Sequence, residues 1–249
     1  MRFNILTLFP EMFTPLFTSM TGRAAEKGLL SFHVVNIRDF STDKHSKADD
    51  YPFGGGQGMV MLPQPAFDAL RSVEAEKTRV IYLSPRGRKL DRALAEELAR
   101  EEEITLFCGH YEGLDQRVID TWHMEEVSIG DYILTGGELA AMVLADTVSR
   151  MVPGVLAGEA SAFDESIYSG LLEYPQYSQP REFEGLGVPE VLLSGNHKMI
   201  HLWRYEQSLM LTAERRPDLF EQYVKNHGEL SKDERKVLEK VVGCCKIPV

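Results

Sequence analysis

Between Arg2 and Arg150 the apolar residues fall into short unbroken runs, each followed by a longer amphipathic stretch. Arg2–Phe9 (RFNILTLF), Ser31–Ile37 (SFHVVNI), Arg79–Ser84 (RVIYLS), Ile104–Cys108 (ITLFC) and the shorter Glu126–Ile129 read as strands by length and by β-branched or aromatic content. Pro10 ends the run that starts at Arg2, and Pro85 ends the run that starts at Arg79. The intervening pattern predicts short helical pieces at Glu11–Met20 and Gly22–Gly28 and a helix opened by Pro63 and Pro65 that runs to about Ala75. It also predicts a helix capped by Asp91 and running to about Glu102, a helical Leu114–Thr121, and Gly137–Met151 with a wide apolar face. Strands alternating with helices predict an α/β fold on a mostly parallel sheet, in which ligands bind at the carboxyl ends of strands.

Pro153–Gly195 changes character, with Pro153, Pro175, Pro180 and Pro189 among many glycines, and Ala157–Leu171 reads as a linker. Helical periodicity returns at His197–Ala213, Pro217–Asn226 and Ser231–Val242, where Ser231 and Glu234 have capping-box spacing. The organisation expected is an α/β domain over 1–156, an interdomain linker over 157–172 and a small α-helical domain over 173–249.

Charge complicates the choice of partner. The net charge is −11, which taken alone argues against a nucleic-acid-binding protein, DNA-binding included. Asn196–Val249, however, holds ten Lys/Arg against eight Asp/Glu, net +2, leaving −13 for residues 1–195 and room for a polyanion on one side. The three cysteines, Cys108, Cys244 and Cys245, form no disulfide framework and no zinc motif, which fits a reducing cytoplasm. The amino terminus lacks the basic region and cleavage site of a secretory signal, and no apolar run approaches the ~20 residues of a membrane span. The expectation is a soluble cytoplasmic protein with no membrane partner.

Candidate chemistry sits in glycine-rich loops. Pro52–Met59 (PFGGGQGM) lacks the Lys-Ser/Thr of a phosphate loop and opens no helix directly, so its glycines serve either turns with positive φ or close backbone approach to a flat ligand. Gly109-His110-Tyr111-Glu112-Gly113 follows a buried strand; Glu112 is either a helix-entry carboxylate or a hydrogen-bond acceptor for a ligand. Ser128–Glu138 (SIGDYILTGGE) reads as a tight turn or as a backbone-lined slot for an adenine ring. Cys108 reads as core filler, and Arg150 as a cation suited to a helix end. Arg215-Arg216 is a weak phosphate-contact candidate, while His197 and His201, one helical turn apart, lack the Glu of a zinc motif.

Taken together these strings resemble the bacterial tRNA (guanine-N1)-methyltransferase family, TrmD, of the SPOUT class. The matching strings are LFPEMF (Leu8–Phe13), TGRA (Thr21–Ala24), IRDF (Ile37–Phe40), PFGGGQGM, IYLSPRGRKLD (Ile81–Asp91), GHYEGLDQRVI (Gly109–Ile119), SIGDYILTGGE, GLLEYPQYSQP (Gly170–Pro180) and VLLSGNH (Val191–His197), in order along nearly the whole chain. The resemblance implies a SPOUT-type α/β domain ending in a trefoil knot, followed by a small helical domain that grips tRNA. It implies S-adenosylmethionine held by Tyr82, Leu83, Ser84, Pro85, Gly109, Tyr111, Glu112, Gly113, Ile129, Gly130, Asp131, Tyr132, Ile133, Leu134, Gly136 and Gly137. The substrate it implies is tRNA with guanosine at position 37, approached by Gly55, Gly58 and Glu112, in a homodimer that shares its site.

Arg150 takes the role of charge stabiliser in that scheme, and a linker carboxylate the role of base. Here Glu165 occupies the position before Ser166, where the family usually has Asp, and Asp164 stands one residue earlier; either fits. His110 stands where the family often has Arg, which weakens an expected phosphate or base contact, and Gln57 stands where Pro is common. Magnesium dependence is implied as well, without a ligand cluster in the sequence. Two other classes remain open on the residues alone. One is a non-catalytic RNA-binding protein of the same fold, and the other is a small-molecule enzyme using a nucleotide cofactor.

Overall fold

A computed structural model describes residues 1–156 and 169–245 and divides the chain into two compact units, Met1–Glu159 and Ala160–Val249. In the first unit, β1 (Arg2–Thr7) is buried at five of its six positions, as a strand covered on both faces must be. A 3-10 segment (Pro10–Phe17) and α1 (Ser19–Glu26) lead to β2 (Ser31–Asn36). The helix expected from Glu11 winds instead as tighter turns across Pro15, which has no N–H to donate. Two-residue strands β3 (Asp49–Asp50) and β4 (Val60–Met61) pair antiparallel and frame the glycine loop.

Next come α2 (Pro63–Ser72), β5 (Arg79–Lys89), α3 (Arg92–Leu98), β6 (Glu103–Cys108), α4 (Gln116–Thr121), β7 (Glu125–Ser128) and α5 (Glu138–Ser149). Pro63 opens α2 at its first turn, but the helix stops at Ser72 because Glu74 turns left-handed at φ +51. The Asp91 carboxylate accepts the Leu94 N–H at 2.8 Å, and that of Asp115 accepts the Arg117 N–H at 2.9 Å, capping α3 and α4.

The five-stranded sheet has the order β2-β1-β6-β5-β7, with every pair parallel. Alternation along the strands splits the core in two. Ile5, Ile81 and Leu106 meet α1, α3 and α5 on one face, while Leu6, Tyr82 and Phe107 meet α2 and α4 on the other.

β5 departs from the sequence reading, because it runs past Pro85 to Lys89. Its register with β7 breaks between Leu83 and Arg88, and Val127 pairs with both of those residues. A strand residue has one neighbour on each edge, so residues 84–87 carry the chain across β7 from one edge to the other. Pro85 is tolerated because it lies in this break, where no ladder bond is required of it. Gly87 makes the crossing: a Cβ there would lie 2.2–2.3 Å from backbone atoms of Glu126 and Val127.

The second unit carries a hairpin of β8 (Glu182–Phe183) and β9 (Leu186–Gly187), where the sequence reads as loop. Its turn residues Glu184 and Gly185 are both left-handed, at φ +54 and +78, as a two-residue hairpin turn requires. α6 (Glu190–Leu193), α7 (His197–Arg215), α8 (Pro217–Asn226) and α9 (Lys232–Cys245) follow. Asn196 caps α7 by accepting the Met199 N–H at 3.2 Å. Ser231 and Glu234 form the reciprocal capping box at 2.9 and 3.2 Å. Leu171, Leu209, Phe220, Leu238 and Val241 make the buried core of this unit.

Candidate functional site

The register break within β5 and the loops that follow β6 and β7 meet over one cleft of about 490 Å³, on the side of the sheet where parallel strands form ligand crevices. Close backbone approaches set their paths. After β6, a Cβ on Gly109 would fall 2.7 Å from the Tyr82 ring. Tyr111 then adopts a left-handed φ of +59, at a cost that a non-glycine residue bears only where its surroundings hold it. The Gly137 N–H donates to the Gly109 carbonyl at 2.8 Å, and a Cβ on Gly137 would meet Cys108 Cα at 2.9 Å. The loop after β7 is thereby laced to the loop after β6.

Of the residues singled out in the sequence, Tyr82, Leu83, Ser84, Pro85, Gly109, Tyr111, Glu112, Gly113, Ile129, Gly130, Tyr132, Ile133, Leu134, Gly136 and Gly137 line this cleft. Asp131 is exposed and does not. Arg86, His110 and Thr135, within the same three strand-end loops, line it too, as do Gln116 and Ala140, which lie outside those loops. Arg86 is held by the Glu126 carboxylate at 3.1 and 3.2 Å.

The glycine loop over residues 54–58 takes the first of its two expected forms, turns with positive φ. Gly54, Gly55, Gly56 and Gly58 all have positive φ, and Gly58 also gives close approach, since a Cβ there would lie 2.5 Å from the Glu112 side chain. The Glu112 N–H donates to Met59 O and the Met61 N–H to Gly113 O, both at 2.9 Å, so this loop is tied to the rim of the cleft. Gly55 has nothing within 4 Å of its missing side chain and stays outside the lining.

His110 is engaged from within. Its Nε2 lies 2.8 Å from Glu138 Oε2, and Thr7 Oγ1 donates to Glu138 Oε1 at 2.7 Å. The Phe9 N–H donates in turn to Thr7 Oγ1 at 2.9 Å, and the Phe9 and His110 rings sit 4.9 Å apart. Glu138 is 1% exposed, and its partners are 28 and 131 residues away in sequence, a pairing that no local pattern reveals. The only sequence hint is a carboxylate at the first turn of an apolar helix.

Cys108 is buried, as core filler should be, and burial pushes its thiol well above the ordinary range, with Glu138 adding to the effect. Burial also raises the Tyr82 phenol.

The remaining candidates lie apart. Arg150 is the C-cap of α5 and is not among the lining residues. Twelve helical residues separate it from the cleft end of α5, about 18 Å at 1.5 Å per residue. Asp164 and Glu165 lie outside the described residues. Arg216 pairs with its neighbour Asp218 at 2.6 Å, and His201 bonds Glu234 at 2.9 Å. Among the described residues no group of three or more His, Cys, Asp or Glu side chains is placed to hold a metal ion, and no helix is long and apolar enough to cross a membrane.

The chain is similar to curated relatives named tRNA (guanine-N(1)-)-methyltransferase. One from Clostridium perfringens (strain ATCC 13124) is 54% identical over 240 residues, covering 96% of this chain and 99% of the relative. One from Alkaliphilus metalliredigens is 56% identical over 237 residues, covering 92% and 96%, and one from Clostridioides difficile is 53% identical over 225, covering 88% and 97%. The family described as tRNA (Guanine-1)-methyltransferase TrmD matches residues 1–222, and the chain belongs to that family.

Proposed function

We propose that this protein transfers a methyl group from S-adenosylmethionine to N1 of the guanosine at tRNA position 37, working as a cytoplasmic homodimer. The observation that carries the reading is the glycine-lined cleft. The cleft fits the donor on two counts. Gly109, Gly136 and Gly137 bring bare backbone to the lining at places where a Cβ would strike Tyr82, His110 with Glu138, and Cys108, and Leu83, Pro85, Ile129, Ile133, Leu134 and Ala140 provide apolar walls for a flat heterocycle. Glu112, at the rim, supplies a carboxylate opposite a cationic ligand.

When bound, S-adenosylmethionine supplies an electrophilic methyl on a sulfonium sulfur. The chain's own residues prepare the acceptor. Guanine N1 carries a hydrogen, and Asp164 or Glu165 takes it as the new bond forms. Negative charge then grows toward O6, and the Arg150 guanidinium stabilises it. Magnesium receives no step, because no described cluster fits it.

Two features support a site shared between copies. Arg150 stands at the far end of α5 from the cleft, and Leu139 and Val143, one turn apart on that helix, are 47% and 45% exposed. A trefoil knot is supported by the double pairing of Val127 with Leu83 and Arg88 and by the close backbone approach of Gly87 to Glu126 and Val127.

The test is methyl transfer from labelled donor to two tRNA transcripts, one with guanosine and one with adenosine at position 37. Transfer to the first alone is expected. RNA binding without transfer to either would favour a non-catalytic binder and overturn the proposal. Asp164→Asn or Glu165→Gln lowers the single-turnover rate while donor binding survives. An unchanged rate in both and in the double variant removes the linker carboxylates from the mechanism.

A further inference from the structure

The second unit contains a cavity of about 380 Å³, within the size range of small-ligand sites, running from Tyr174 to Arg204. Its construction differs from that of the donor cleft. Arg204, on α7, lays its guanidinium 4.8 Å from the centroid of the Tyr174 ring. Tyr177 also lines it, its ring 6.4 Å from that of Trp203, and is 48% exposed. Leu192 and Ile200 provide an apolar wall, and Gln179 a polar edge.

No acidic residue lines this cavity, and neither Arg181 nor Arg204 has a carboxylate partner among the described residues. Two unneutralised guanidinium groups beside flat aromatic faces match a ligand that is itself flat at one end and anionic at the other. An unstacked nucleotide has that chemistry: its base stacks on tyrosine or arginine planes, and its phosphate attracts arginine.

We propose that this cavity takes one splayed-out nucleobase of the tRNA other than the methylated guanine, stacked against the Arg204 guanidinium plane and Tyr177, with Arg181 meeting the adjoining phosphate. The assignment rests on the tRNA reading above. It makes the second unit a reader of one particular nucleotide rather than a diffuse electrostatic grip.

The test uses the full chain and transcripts that each lack one base of the anticodon loop, in steady-state methylation. On one such transcript the unaltered enzyme loses about tenfold in kcat/KM, through KM for RNA. Arg204→Gln and Tyr177→Leu raise KM for intact tRNA by a similar factor and suffer no further loss on that transcript, because the contact is already gone. Arg204→Lys, which keeps the charge and loses the plane, behaves as Arg204→Gln does. Donor affinity by calorimetry and helix content by circular dichroism report folding, and half-exposed Tyr177 serves if the arginine variants fail to fold. Losses that multiply on every abasic transcript, or variants within twofold of the unaltered KM, overturn the cavity assignment. Failure of the unaltered enzyme to methylate any transcript overturns the tRNA reading as well, so the two failures are distinguishable.

Discussion

Backbone walls the cleft of the first unit, at Gly109, Gly136 and Gly137, whereas tyrosine, glutamine and arginine side chains wall the cavity of the second. The materials differ in tolerance. A site shaped by main chain has no rotamer with which to absorb an added methyl group, and the same is true of the strand crossing that supports it. A site shaped by side chains can be trimmed one contact at a time. Two glycines of the second unit, Gly185 and Gly195, have positive φ with nothing within 4 Å of their missing side chains.

The sharpest break of this contrast is Gly87→Ala. Its methyl group would fall within 2.3 Å of Glu126 and Val127 backbone, so donor binding is abolished and stability drops by at least about 3 kcal/mol, read from urea unfolding. Retained donor affinity in a calorimeter would mean that the crossing relaxes, and the contrast would fail.

Glu138→Ala comes next. It strands His110 and Thr7 in a buried site and costs about 3 kcal/mol, while Glu138→Gln, which keeps an acceptor, costs less; unfolding midpoints for the pair measure the difference.

The matching carboxylate of the second unit, Glu234, sits at the surface of the fold. The Ser231 hydroxyl, then His201, pull its carboxyl down from 4.5 to about 2. A lowered carboxylate value means that this stabilisation is complete above pH 4.5 and fades as pH falls toward 2. At this partly solvated position it is worth about 1–2 kcal/mol, and Glu234→Gln flattens the acid limb of a stability–pH curve by that amount. Gly195→Ala is the mildest change, about 1 kcal/mol from its φ of +68 alone, with methyl transfer intact.

The same contrast explains what a reader of the sequence can see. β1 and β6 are mostly apolar and buried because both faces of the sheet are covered, and the caps at Asp91, Asn196 and Ser231 are local chemistry. The donor cleft is legible because main-chain proximity demands glycine, and glycine stands out in a string such as LTGGE. Pro85 misleads, since a strand that changes edges has a gap where proline fits. The Thr7–Glu138–His110 bonds and the Tyr174–Arg204 stack join residues far apart in sequence whose types are unremarkable where they stand.

The double pairing of Val127 also bears on solubility. A terminal strand normally offers a row of unpaired N–H and C=O groups to any passing chain, which invites intermolecular sheet growth. β7 closes the order β2-β1-β6-β5-β7, yet Arg88 and Lys89 occupy its outward side at Val127 and Ser128. At Val127 and Ser128 this end of the five-stranded sheet is hemmed by its own chain, which leaves β2 as the edge of that sheet more open to strand addition.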